Sequence, residues 1–161
     1  GTKLILGLTG ILALSYLALR PSEREELARV MYAEAANQPR VVRRLVGETV
    51  INREKSGKYP STIRAVIHQD NAFSSVGRRL WNQTALPAWI GYSGNMNSAE
   101  RKIYNECLED TGALMAGENV GLTGEKRIEA FYSGKKPSGR YWENMQTLYS
   151  DGKMSFCARR K

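Results

Sequence analysis

Three kinds of side chain in this sequence could act chemically on a substrate: sixteen carboxylates, one histidine and two cysteines. The carboxylate in the most telling position is Glu34, within VMYAEAANQP at residues 30–39. Just upstream, PSEREELARVMYAEA carries Ser22 with Glu25 three positions on, a capping-box pattern, and Leu27, Val30 and Met31 recur at helical spacing. At about 3.6 residues per turn, position 34 joins them on one face, so the spacing predicts that Glu34 projects from the side that packs. An ionised carboxylate there must be paired, hydrogen-bonded or protonated, and protonation corresponds to a raised pKa. The plainer alternative is a structural Glu satisfied at the helix end before Pro39.

The residue inventory removes other chemistries. His68 is the only histidine and Cys107 and Cys157 the only cysteines, so neither a multi-histidine nor a cysteine-rich zinc site can be assembled. The two cysteines form either one bridge or two free thiols. His68, in IRAVIHQ, has no Ser or Cys motif to serve and reads as a helix-surface or loop-facing residue. There is no GxSxG elbow, and the Gly-Lys pairs at Gly57, Gly134 and Gly152 lack the rest of a phosphate loop. No metal or cofactor is called for. What remains is carboxylate chemistry in aromatic company, the ingredients of glycoside cleavage.

The elements that would position Glu34 follow from periodicity. RVVRRLVGETVINR places Val42, Leu45, Val46, Thr49 and Val50 on one stripe and predicts a second amphipathic helix over 40–53. Ser61 is expected to cap a third through TIRAVIHQ, with Ile63, Val66 and Ile67 inward. Residues 70–97 show no sustained period and read as a long functional loop containing Trp81 and Trp89. Asn97 and Glu100 then open a helix whose expected apolar face is Ile103, Cys107, Leu108, Thr111, Leu114 and Met115. After Gly124, RIEAFYS, YWENMQTLYS and KMSFCA read as strands or turns. The fold class expected is α+β, mostly helical.

The net charge of +8 suits a polyanionic partner: nucleic acid, an anionic membrane surface or the acidic bacterial cell wall. Basic residues are scattered rather than gathered in a nucleic-acid-binding motif, so no nucleic acid is expected. From Leu4 to Leu19 the chain has no charge, and sixteen residues of helix span about 24 Å, a little short of a hydrocarbon core. A signal-peptide core is the alternative. The division expected is a hydrophobic membrane-anchor helix over 1–20 and a catalytic domain over 21–161. Arg20, Arg24 and Arg29 follow the span, which by the positive-inside rule would put the domain on the cytoplasmic side, whereas a wall-directed enzyme needs the other.

The runs MYAEAANQP, VINR, YPSTI and AFS, in fixed register from Tyr32 to Ser74, resemble the spore-cortex-lytic, SleB/CwlJ-type cell wall hydrolases, with their YGEARGEP, VxNR, FPxTI and QFS pattern. AFYSGKKPSGRYW and GKMSFC resemble that family's closing elements. The resemblance implies a lysozyme-like domain that cleaves peptidoglycan glycan strands, with Glu34 in the place of the catalytic acid. It also puts Phe73, Ser74, Tyr132 and Trp142 in motifs expected to bind the sugar, although Phe73 and Tyr132 read equally as core. Asn52 and Arg53 read as substrate ligands or as a helix-end device. The sequence departs from the pattern at Ala33, Ala36, Asn37 and Gln38, at Met154 in place of a His, and at Ser75 in place of a Trp, for which Trp81 is a candidate stand-in.

A lytic transglycosylase reuses one Glu as acid and base, whereas a muramidase-type glycosidase needs a second carboxylate. Glu48 is the first candidate for that partner, followed by Glu54 and Glu143. The resemblance favours the single-Glu transglycosylase, on a membrane of the bacterial envelope or of a phage virion. The rival expectations are an inactive structural membrane protein and a basic nucleic-acid binder.

Overall fold

The computed structural model describes residues 20–86, 90, 96–119 and 127–160. The hydrophobic leader at 4–19 lies outside them, as does Trp89. Among the described residues no helix is long and apolar enough to cross a membrane.

Among the described residues five helices precede a small sheet: α1 (Glu23–Ala35), α2 (Arg40–Lys55), α3 (Ile63–Ile67), α4 (Arg79–Asn82) and the long α5 (Ser98–Met115). Both capping boxes form as the sequence implies. Ser22 accepts from the Glu25 N–H and Asn97 from the Glu100 N–H, and each Glu side chain reaches back to the cap's own N–H. The third helix starts one residue later than expected, because Thr62 rather than Ser61 accepts from the Ala65 N–H. The expected loop over 70–97 contains α4, a single turn without a side-chain cap.

The core lies where α1, α2 and α5 meet. Leu27, Val30 and Met31 of α1, Val50 of α2 and Leu114 of α5 are fully buried together, each worth about 1.5–3 kcal/mol relative to exposure. The helices approach closely at Gly47, where a Cβ would lie 2.7 Å from Leu114 Cδ1 and 2.8 Å from Met31 Sδ. The buried face of α5 is rotated from the expected stripe. Tyr104, Cys107, Asp110, Thr111 and Leu114 are buried, whereas Met115, in the last turn, is 39% exposed. Asp110 is held by Arg40 in a two-point ion pair that ties α5 to α2. Cys107 and Cys157 are both buried free thiols, on α5 and on the sheet.

A polar knot fixes α1. Glu26 is 1% exposed, and its Oε1 accepts from Arg29 at 2.8 Å and Arg64 at 2.9 Å, while Oε2 lies 3.1 Å from His68 Nε2. Arg29 stacks on Trp81, 3.8 Å from the ring centroid, and donates to Thr84. Burial pushes the Arg29 guanidinium below its usual pKa, and the ion pair with Glu26 opposes that shift.

Beyond residue 127 come β1 (Ala130–Ser133), the one-turn α6 (Arg140–Glu143), β2 (Met145–Ser150) and β3 (Met154–Arg159). The strands form an antiparallel sheet in the order β1-β3-β2. β3 is central and buried along nearly its whole length; Phe131 of β1 and Tyr149 of β2 both stand opposite its Phe156. Met154, where the resembled family has His, is buried in a cluster with Phe156, Leu45 and Val46. The sheet is attached to α2 by side chains. Asn52 Nδ2 donates to the Ile128 carbonyl at 3.0 Å and Arg53 Nε to the Glu129 carbonyl at 2.6 Å.

Candidate active site

The helix that carries Glu34 ends one residue beyond it, at Ala35. Its last turn is followed by a bend in which the Gln38 N–H donates to the Ala35 carbonyl and Arg43 Nη1 to the Gln38 carbonyl. This bend is where Ala36, Asn37 and Gln38 depart from the resembled pattern, and it is closed by protein hydrogen bonds. Glu34 therefore sits at the rim of the core. Leu27, Val30 and Met31 on its face are fully buried, but Glu34 itself is only half-buried and opens into a cleft of about 490 Å³.

The segment after α3 supplies one wall. Gln69, Asp70, Asn71, Ala72, Phe73 and Ser74 line the cleft, with Asn71 in the left-handed region at φ 58°. The next residue makes the decisive contact: the Ser75 N–H donates to Glu34 Oε1 at 3.0 Å. That bond commits one carboxylate oxygen, and among the described residues none bonds the other. The Ser75 hydroxyl is itself buried without a partner.

The sheet supplies the opposite wall. All four residues of β1 line the cleft, joined by Tyr141 and Trp142 from α6. The rings brace one another: Trp142 meets Tyr132 edge-on at 5.6 Å and Tyr141 at 5.2 Å, and Phe73 lies 6.0 Å from Phe131. Arg53 and Tyr59 also line the cleft, and the Tyr59 and Tyr141 hydroxyls lie 3.3 Å apart. Desolvation raises the Tyr141 phenol pKa above its ordinary value, and the bond to Tyr59 adds to that.

The structure thus gathers Glu34, Phe73, Ser74, Tyr132 and Trp142 around one cavity. Phe73 satisfies both of its expected readings, since it belongs to the core cluster and also lines the cleft. Glu48 is not brought there. It is 5% exposed on α2, next to the closely packed Gly47, and neither it nor Glu54 nor Glu143 lines the cleft. The second cleft carboxylate is Asp70, an exposed residue that makes no ion pair or hydrogen bond among the described residues. Sequence reasoning passed over it, because an Asp in a loop without a period has no helical face to betray its direction. Trp81 does not stand in for the Trp at position 75, for it is buried beneath Arg29 and absent from the cleft lining. His68 is engaged by Glu26.

Glu34 also borders a second cavity, of about 550 Å³, lined by Tyr32, Asn37, Arg79, Leu80 and Glu100 among others. The carboxylate therefore stands between two hollows, an arrangement suited to a chain-like substrate passing over it. An acid flanked by aromatic walls, with one oxygen anchored and one unoccupied, is equipped to hand a proton to an ether-type oxygen of a bound sugar.

Two solved structures resemble this fold. The catalytic domain of the Bacillus cereus SleB protein superposes with a TM-score of 0.54 at 19% identity, covering 85% of this chain and 91% of that one. The catalytic domain of the germination-specific lytic transglycosylase SleB from Bacillus anthracis gives 0.53 at 18%, covering 84% and 93%. These likenesses establish a shared fold. No curated protein matches the sequence. The cell wall hydrolase family model matches residues 37–157, beginning three positions after Glu34 and taking in most of the chain. By that match the chain belongs to the cell wall hydrolase family of enzymes.

Proposed function

We propose that this chain cleaves the glycan strands of peptidoglycan, at the linkage between N-acetylmuramic acid and N-acetylglucosamine, as a lytic transglycosylase with Glu34 as its single acid and base. The observation that carries the reading is that Glu34 shares one aromatic-walled cleft with Phe73, Ser74, Tyr132 and Trp142, while a single backbone N–H fixes its Oε1. An N–H can only donate, so Oε1 is the accepting oxygen and the transferable proton sits on Oε2. That proton passes to the glycosidic oxygen as the bond breaks. The resulting carboxylate then takes the proton of the sugar's own 6-hydroxyl, whose oxygen closes onto the anomeric carbon to give an anhydro ring without water. Tyr132 and Trp142 offer ring faces and edges to the sugar, and Ser74 offers a polar contact.

Asp70 favours a second reading. A carboxylate in the same cleft, without a partner among the described residues, is placed to activate water and make the reaction a hydrolysis, the role first given to Glu48. For location, the uncharged run at 4–19 supports a tether to a membrane of the bacterial envelope or of a phage virion. A zymogram on purified peptidoglycan tests the catalytic assignment. The native chain is expected to clear the wall and Glu34→Gln to leave it intact; equal clearing would remove Glu34 from the mechanism, and no clearing by either would favour the inactive structural reading.

A further inference from the structure

Arg53 holds the sheet to α2 with only one of its N–H groups. Its Nε is committed to the Glu129 carbonyl, while no hydrogen bond or ion pair among the described residues takes Nη1 or Nη2. The residue is 8% exposed and is the one cation among the described residues lining the cleft. Its guanidinium carbon lies 5.2 Å from the ring centroid of Tyr59 and 5.2 Å from that of Phe73, so two aromatic rings fix its position.

The contrast with other arginines is chemical. Arg29, Arg40, Arg43, Arg64 and Arg159 each meet a carboxylate of this chain. Arg53 meets none among the described residues, although a guanidinium cannot discharge itself by losing a proton and a buried unpaired charge is costly. A fork of two N–H-bearing nitrogens, held rigidly at a substrate cleft, is the geometry that receives a planar carboxylate.

We propose that Arg53 is a substrate-binding residue whose Nη pair receives a carboxylate borne by the muramoyl sugar. The proposal rests on the glycan-cleaving reading above. The glycan backbone is neutral, so its anionic groups lie on the muramoyl substituent, as a free lactyl carboxylate or as a carboxylate of the peptide stem. A cation beside the breaking bond would oppose the positive charge developing on the anomeric carbon, so this guanidinium serves the substituent. Because only alternate sugars carry that substituent, the contact sets which linkage lies over Glu34.

The test is calorimetric binding to the full chain carrying Glu34→Gln, which prevents turnover, with and without Arg53→Gln. Three ligands are compared: a muramoyl disaccharide bearing its peptide stem, the same disaccharide with a free lactyl carboxylate, and the neutral N-acetylglucosamine disaccharide. Arg53→Gln is expected to weaken binding of one carboxylate ligand by about tenfold or more and to leave the neutral ligand unchanged. Loss with the stem-bearing ligand identifies the stem carboxylate, and loss with the stem-free ligand identifies the lactyl group. Asn52→Ala, which cuts the neighbouring stitch to Ile128 outside the cleft, is expected to spare all three affinities. An equal effect of Arg53→Gln on all three ligands, or the same carboxylate-specific loss in Asn52→Ala, would overturn the proposal while leaving Glu34 untouched. Wall clearing by Glu34→Gln would overturn both.

Discussion

Two glutamates on α1, eight residues apart, show how one side-chain type is put to opposite uses. Glu26 is enclosed by Arg29, Arg64 and His68, and both its oxygens are engaged. Glu34 receives one neutral N–H on one oxygen and faces a cleft with the other. The first is a charge neutralised for structure. The second is left incomplete, and a substrate oxygen can supply what is missing. Helix periodicity alone does not separate the two. What separates them is which segments pack against each end of α1: α3 with Arg64, and His68 just after it, at one end, and the 69–75 segment with only a backbone donor at the other.

The sharpest way to break this comparison is to neutralise each carboxylate in turn. Glu34→Gln removes the proposed proton donor and is expected to lower the wall-clearing rate by about 10²–10⁴-fold, with an unchanged melting temperature. Glu26→Gln is expected to do the reverse. Leaving the buried Arg29 and the half-buried Arg64 without their counter-charge should cost about 3 kcal/mol in denaturant unfolding, while the molecules that remain folded keep their specific activity. A smaller effect is expected at Ser75. Ser75→Pro deletes the N–H that holds Oε1 and should lower kcat by about tenfold, the worth of one hydrogen bond. Ser75→Ala should be near neutral, since the hydroxyl it removes is buried without a partner.

The mildest effect is confined to alkaline solution. Burial pushes the Cys107 thiol up from 9.0 to about 12, and desolvation, followed by the Glu100 charge, pushes Tyr32 up from 10.0 to about 12. Both groups hold their protons more tightly in the folded chain than in the unfolded one. The stability they contribute is complete below about pH 9 and is lost as pH rises toward 12, so the unfolding free energy should fall across that window. Cys107→Ser should flatten the slope.

How far the sequence foretold this molecule depends on how local each cause is. Capping boxes at Ser22 and Asn97 were legible because cap and partner are three residues apart. The face of α1 and the stripe of α2 followed from periodicity, and Thr49 took its place on that stripe by donating to the Leu45 carbonyl. The aromatic half of the cleft was legible only through family resemblance, since nothing in the local pattern of Tyr132 or Trp142 says which cavity it faces. Three features were not settled by the sequence. The Ser75 contact to Glu34 uses backbone, which carries no residue-type signal. For Arg53 the sequence left substrate ligand and helix-end device both open, because its contacts are to Glu129 and Phe73, both distant in the chain. Glu48 is buried on α2 away from the cleft, a placement set by tertiary packing.

The central claim is that one carboxylate performs both proton transfers in this cleft. Mass spectrometry of the muropeptides released from purified peptidoglycan tests it most directly. The expected products carry anhydro-muramoyl ends, lighter by one water than hydrolysis products. Release of reducing ends instead would show that water, activated by a second group such as Asp70, completes the reaction, and would contradict the claim.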